Sequence, residues 1–345
     1  MKVAPVFRAI QELSGIRQTL VHTGQHYDDN LSDVFFRQLD IPTPDVNLSV
    51  GSGTHAAQTA LIMSSFEPVV NERKPDLVLV YGDVNSTVAA SLVCAKLQVP
   101  IGHVEAGLRS FDRTMPEEIN RLVTDQLADF LFTPSQDADC NLQREGIAKE
   151  RIYFVGNVMI DSLVRLLPKA PQQRPAGMPD RYALVTLHRP ANVDQPAGLK
   201  EILKSLGEIN RDLAVVFPVH PRTRQRMQMF GLDPGKLMLL DPLPYLEFLA
   251  LQRDAAVVIT DSGGIQEETT YLGVPCLTLR KKTERPITVS VGTNVLVGDD
   301  PIRLHAEVSK IMEGNPKKGS IPALWDGHAS GRIAEILAGK RGGAI

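Results

Sequence analysis

Short apolar runs recur along the chain, and most end abruptly in a small, polar or charged loop. Leu77-Val78-Leu79-Val80 runs into Tyr81-Gly82-Asp83, and Ile101-Gly102-His103-Val104 into Glu105-Ala106-Gly107. In the second half, Ala183-Leu184-Val185-Thr186-Leu187 gives way to His188-Arg189, and Val215-Val216-Phe217 to Pro218-Val219-His220. Ala256-Val257-Val258-Ile259 likewise gives way to Thr260-Asp261-Ser262-Gly263-Gly264. Continuous apolar runs predict strands buried on both faces, as in parallel sheets. Between them, 86–97, 117–129 and 196–210 carry helical patterns. Strand alternating with helix predicts an α/β fold, doubly wound. Active sites in such sheets lie beyond the carboxyl ends of the strands, where these polar loops fall.

The stretch 168–179 holds four prolines and little periodicity, which marks it as a linker. It separates a Rossmann-like domain at 1–167 from a second at 180–328, and the two are expected to face a cleft. A final helix near 329–339 fits against either half, and the tail to 345 is expected to be loose. The opening is unusual. Residues 1–8 read as an amphipathic helix, whereas a Rossmann half opens with a strand, and that strand is a central member of its sheet.

Composition narrows the class. The chain has 345 residues, which at roughly 150 per domain again gives about two domains. With 43% hydrophobic and 22% charged residues it reads as globular rather than disordered or fibrous. No apolar run approaches the roughly 18 residues of a membrane span, and no signal segment is evident. Lys plus Arg is 37 against 40 Asp plus Glu, a balance of −3 that argues against a nucleic-acid binder. Cys94, Cys140 and Cys276 are far apart and odd in number, so no disulfide framework or cysteine zinc site is expected, and a reducing cytoplasm fits.

Neither a G-x-G-x-x-G nor a P-loop pattern is present. The phosphate-binding candidate is Asp261-Ser262-Gly263-Gly264-Ile265-Gln266-Glu267-Glu268, a strand end and tight turn feeding a helix whose free N–H groups and dipole suit a diphosphate. Glu268 falls two turns into that helix, within range of a ribose. The bland alternative is an ordinary turn with Ser262 as helix cap. Asp83, followed by Asn85, Ser86 and Thr87, reads equally as a helix cap or a functional carboxylate. Glu117 and Arg121, four apart, are expected on one helical face as an ion pair. His220 at a strand end suits acid–base work, although a lone histidine there is more often structural. Three carboxylates (Asp83, Glu105, Glu117) and one histidine at predicted site ends, spread over both halves, suit an enzyme that removes a proton from a weak acid. Metal hydrolysis is less expected: apart from His22 and His26, four apart, no metal-ligand spacing stands out.

Taken in order, Thr23-Gly24-Gln25-His26, Tyr81-Gly82-Asp83, His103-Val104-Glu105-Ala106-Gly107-Leu108-Arg109 and Met115-Pro116-Glu117-Glu118-Ile119-Asn120-Arg121 resemble the non-hydrolysing UDP-N-acetylglucosamine 2-epimerases. So do Val155-Gly156-Asn157, Thr186-Leu187-His188-Arg189, Pro218-Val219-His220, the 261–268 turn and Thr283-Glu284-Arg285-Pro286, and the likeness spans nearly the whole chain. It implies the two-domain, glycosyltransferase-B-like fold of many nucleotide-sugar enzymes. It implies a reversible C2 inversion: UDP leaves C1 as the C2 proton is lost, giving a 2-acetamidoglucal, and then adds back. By position, Asp83, Glu105, Glu117 and His220 surround the sugar. Ser262, Gly263 and Gly264 hold phosphate, Glu268 the ribose, and Phe248 lines the uracil pocket. Lys2, Arg121, His188, Arg189 and Arg285 are further substrate contacts. No metal or redox cofactor is implied, and a cytoplasmic homodimer is.

Two departures qualify the resemblance. The family opens with a strand and a Gly-Thr-Arg-Pro-Glu loop just before the helix found here at the start, so a truncated or misassigned start is expected, with that loop's Arg lost. Tyr27-Asp28 follows the Gln-His pair where members with an allosteric UDP-sugar site carry a basic residue. The alternatives are a 2-epimerase of a UDP-diacetamido uronic acid, a hydrolysing 2-epimerase, a catalytically weak UDP-sugar-binding protein, and a glycosyltransferase, since fold alone does not fix function.

Overall fold

The computed structural model describes residues 1–24, 41–173 and 177–339. Gln25, His26, Tyr27 and Asp28 lie outside the described residues. The chain forms two compact units, Met1–Ser162 joined by the stretch from Ala323, and Leu163–Pro322.

In the first unit, α1 (Val3–Gln11) precedes a short parallel pair, β1 (Val21–His22) and β2 (Val46–Asn47). Then follow α2 (His55–Arg73), β3 (Val78–Tyr81), α3 (Asn85–Lys96), β4 (Ile101–Val104), α4 (Pro116–Leu127), β5 (Phe130–Thr133), α5 (Gln136–Arg144), β6 (Ile152–Phe154) and α6 (Val158–Leu166). Strands β3-β4-β5-β6 form one parallel sheet. The β1–β2 pair is a separate two-stranded sheet, with no ladder to β3–β6 among the described residues.

Alternation along β5 shows why the runs are wholly apolar. Leu131 packs under α2 and α3 with Phe66, Val80, Val93 and Ile101. Phe130 and Phe132 point to the opposite face, against Val6, Ile10, Val155 and Ile333. A strand covered on both faces needs apolar side chains at every position. The second face is covered by α1 and the last helix, α14 (Ala329–Gly339), which pack on one another. The helix that fitted either half thus belongs to the first unit, pinned where Asp161 accepts from the N–H groups of Ala329 (3.1 Å) and Ser330 (2.7 Å).

The second unit runs β7 (Tyr182–Thr186), α7 (Pro190–Val193), α8 (Pro196–Ile209), β8 (Ala214–Pro218), α9 (Pro221–Met229), β9 (Met238–Leu240), α10 (Tyr245–Asp254), β10 (Val257–Thr260), α11 (Gly263–Leu272), β11 (Cys276–Thr278), α12 (Pro286–Ser290), β12 (Asn294–Leu296) and α13 (Pro301–Met312). All six strands are parallel, in the order β12-β11-β10-β7-β8-β9. The order reverses between β7 and β10. Loops leaving these two strands part to opposite sides, which makes the carboxyl end of that pair the natural crevice. Each unit is therefore an α/β layer of Rossmann type, as the alternating pattern predicts.

Candidate functional site

In the first unit, the loops after β3 and β4 carry Asp83 and Glu105, and α4 runs beside both. Arg121 on α4 donates to Asp83 Oδ2 through Nε (3.0 Å) and Nη2 (2.5 Å), and to Glu118 Oε2 through Nη1 (2.6 Å). The expected partner was Glu117. Glu118 is the buried one, because its carboxylate also accepts from Ser110 N and Oγ and from Phe111 N, closing the loop before α4. Glu117 lies one position back in the first turn, half-buried. Lys2 Nζ pairs with Glu105 and sits over Gly82, where a Cβ would come within 2.6 Å of that ammonium. Asp83, Glu105, Lys2 and Arg121 thus meet in one charged cluster. The N-cap position of α3 falls to Val84, one residue after Asp83.

Polarity on α4 is inverted. Glu118, Asn120, Arg121, Thr124 and Asp125 are buried, whereas Ile119 is 38% exposed. Glu105 adopts a left-handed backbone (φ 75), held because its N–H and that of Ala106 both donate to Phe132 O at 3.0 Å. A non-glycine residue in that region costs about 1 kcal/mol or more and concentrates at functional sites.

In the second unit, Asp261 ends β10 and is fully buried. Its carboxylate accepts from His188 N (3.1 Å), Arg189 N (2.9 Å) and Asn192 Nδ2 (3.0 Å), tying the turn after β7 to that after β10 across the switch point. Burial alone would raise the Asp261 carboxyl, but the His188 ring at 3.1 Å and these donors outweigh it, holding it below the usual range.

Ser262 takes the N-cap position of α11 but makes no side-chain cap, unlike Thr54 before α2 or Asp300 before α13. The first-turn N–H groups of α11 are therefore not claimed by Ser262. Arg285 lies over this turn. A Cβ on Gly263 would meet its Nη1 at 2.5 Å and Glu284 Oε1 at 2.8 Å, so any larger residue has to displace those two side-chain ends. Arg285 pairs with Glu267 (2.7 Å) and Glu284 (2.6 Å), and Glu284 also receives Arg280 at 2.7 Å and Arg189 at 3.6 Å. Three guanidiniums and three carboxylates (Asp261, Glu267 and Glu284) balance around this turn, so its pull on an anion comes from the first-turn N–H groups and the helix dipole.

Glu268 is buried deeper along α11. Tyr245 Oη donates to its Oε1 at 2.8 Å. Burial pushes the carboxyl up to about 7, with the charge of Glu267 adding to that effect. Phe248 shares α10 with Tyr245 and is half-buried against the core that contains Tyr182, Leu184 and Val258.

His220 caps α9: its Nδ1 accepts from Arg222 N at 3.2 Å. Its ring centroid lies 5.6 Å from that of His188. Desolvation, then the neighbouring His188 and Arg222, lower its pKa, with Asp261 opposing. The neutral ring that results carries its proton on Nε2, because Nδ1 is occupied as an acceptor.

The predicted residues thus gather into one cluster in each unit: Lys2, Asp83, Glu105 and Arg121 in the first; His188, Arg189, His220, Gly263 and Arg285 around Asp261 and Glu284 in the second. Glu118, Asp125, Tyr245 and Asp261 organise these clusters, and only Asp261 stood out in the sequence.

A family model described as UDP-N-acetylglucosamine 2-epimerase matches residues 8–338. The UDP-N-acetylglucosamine 2-epimerase of Methanocaldococcus jannaschii is 42% identical over 351 residues, 98% of this chain and 95% of that protein. A crystal structure of the M. jannaschii UDP-GlcNAc 2-epimerase with UDP-GlcNAc and UDP gives a TM-score of 0.90, covering 98% of this chain and 96% of that one. The UDP-2,3-diacetamido-2,3-dideoxy-D-glucuronate 2-epimerase of Pseudomonas aeruginosa is 43% identical over 341 residues, 98% of this chain and 96% of that protein. A lipopolysaccharide outer core galactosyltransferase, 11% identical at a TM-score of 0.52, shares the fold alone. Fold, motif order and full-length identity agree, and the chain belongs to the UDP-N-acetylglucosamine 2-epimerase family.

Proposed function

We propose that this chain catalyses the reversible C2 epimerisation of UDP-N-acetylglucosamine to UDP-N-acetylmannosamine. The observation that carries the reading is the turn at the β7–β10 switch point, where an α11 N-terminus without a side-chain cap adjoins the buried Glu268 carboxylate. That pairing suits a diphosphate followed by a ribose. Ser262, Gly263, Gly264 and Arg285 hold the diphosphate, Glu268 the ribose, and Phe248 lines the uracil pocket. His188, Arg189, Lys2 and Arg121 are further substrate contacts. In elimination, a carboxylate among Asp83, Glu105 and Glu117 takes the C2 proton. The C2–H electron pair becomes the C1=C2 bond, and the C1–O bond breaks to release UDP. His220, as a neutral Nε2–H donor, serves the developing charge. Return of UDP with proton delivery to the opposite face of C2 gives the epimer. A cytoplasmic homodimer supplying a sugar for surface polysaccharide fits this chemistry.

The 43% identity to the P. aeruginosa enzyme favours a second substrate, a UDP-diacetamido uronic acid. Proton NMR in D2O with each UDP-sugar tests both. A new C2 epimer carrying deuterium at C2 identifies the substrate. Free N-acetylmannosamine with UDP points instead to hydrolysis, and no exchange with either sugar refutes an epimerase.

A further inference from the structure

Gly82, Glu105 and Gly107, the residues that flank or carry the two acids, have left-handed backbones (φ 66, 75 and 79). Loops in that conformation need outside anchors, and both reach the same one. His103 Nε2 lies 2.8 Å from Gly82 O, immediately before Asp83, while its Nδ1 lies 2.6 Å from Asp125 Oδ1. The other Asp125 oxygen accepts from Gly107 N at 3.1 Å, two residues after Glu105. His103 and Asp125 have no exposed side-chain surface.

Both nitrogens of His103 face acceptors, a carbonyl and a carboxylate. His103 therefore bridges the Asp125 carboxylate to the loop carbonyl. Asp125 also contacts Arg109 at 2.7 Å, and Arg109 contacts Glu145 at 2.6 Å. Burial would raise Asp125, yet His103 and Arg109 hold it low and ionised.

We propose that Asp125 is a positioning residue that registers the Asp83 and Glu105 loops against one another, acting through His103 on one side and the Gly107 N–H on the other. The proposal rests on the epimerase reading, since it assigns those loops to the reaction. Asp125→Asn keeps the shape but loses the shared anchor, so kcat for UDP-N-acetylglucosamine is expected to fall about 10²-fold. KM and UDP affinity stay within about threefold, a split that a purely stabilising residue would not produce. A variant kcat within about threefold of the wild type overturns the proposal, whatever happens to its melting temperature. Nitrogen-15 NMR of the histidine-labelled chain near pH 7.5, with His103→Asn for assignment, gives a measurement independent of the variant's folding. A proton on Nδ1, donated to Asp125, is expected, and an Nδ1 without one overturns the proposal. A wild type inactive on every UDP-sugar would refute the epimerase reading itself, an outcome distinct from either of these.

Discussion

Tyr245 donates its hydroxyl to Oε1 of the buried Glu268 at 2.8 Å. The pair has a pH signature. Glu268 is raised from 4.5 to about 7, so the folded chain binds a proton there that the unfolded chain has lost. Its stabilising contribution is full below the unfolded value and disappears as pH rises through about 7. Glu268→Gln, which keeps the shape without the charge, should therefore raise stability at pH 8 by about 1–3 kcal/mol and change little at pH 4. Urea unfolding at both pH values measures this, and an equal effect at both would sink it. In the same variant UDP affinity should fall about tenfold through loss of the ribose acceptor.

Gly263 and Arg285 give a second test. In Gly263→Ala the new Cβ has no room unless Arg285 moves, and Arg285 is held by Glu267 and Glu284. Overpacking of this kind costs about 1–3 kcal/mol. UDP affinity should fall more, roughly tenfold to a hundredfold, because the displaced guanidinium and the crowded turn are the proposed diphosphate contacts. Titration calorimetry with UDP checks it. Unchanged affinity would remove this turn from the nucleotide site.

How much of this was legible in the sequence follows from what each signal encodes. The strands announced themselves because both faces are buried, so 101–104 and 257–260 have no polar alternation. The turn at Asp261 was legible because its Ser and Gly residues are the turn chemistry. Glu117 was paired with Arg121 on helical spacing alone, but spacing three apart brings neighbours together as well as spacing four, and loop contacts at 110–111 chose Glu118. Tyr245 gave no signal, since a tyrosine opening a helix looks like core. Asp125 does carry one. It lies four beyond Arg121 and seven beyond Glu118, a polar stripe on a helix whose Ile119 faces out.

Asp83 is expected to matter for turnover far more than for stability. Its side chain is 23% exposed, and Arg121 keeps Glu118 when Asp83 is neutralised. Asp83→Asn should lower kcat/KM by about 10²–10⁴ with a stability change near 1 kcal/mol or less. Near-normal rates in the D2O assay would take Asp83 out of the reaction.

His220 has two roles that two substitutions separate. As N-cap of α9 it accepts from Arg222 N. Asparagine is a good cap and alanine a poor one, so His220→Asn should stay close to wild type in stability while His220→Ala loses about 1 kcal/mol. Both should lose turnover by orders of magnitude, because neither supplies the imidazole. Activity retained in the asparagine variant would mean that the histidine serves only as a cap.

Arg109 carries the heaviest structural penalty. Its buried guanidinium meets Glu145 in a two-pronged pair (2.8 and 2.6 Å), Leu108 O at 2.7 Å and Asp125 at 2.7 Å. Arg109→Ala takes the guanidinium away from a fully buried carboxylate, which should cost about 3–5 kcal/mol. Lysine should recover little, since a point charge cannot reproduce the fork. The acid limb moves as well. Asp125 is held below its unfolded value, so its contribution is present above that value and lost as pH falls through the folded one. Removing Arg109 weakens that hold, and unfolding on acidification should begin at higher pH. Urea unfolding at pH 7 and an acid titration followed by circular dichroism read the two effects. A loss under about 1 kcal/mol in the alanine variant would show that the buried network is not held together by this residue.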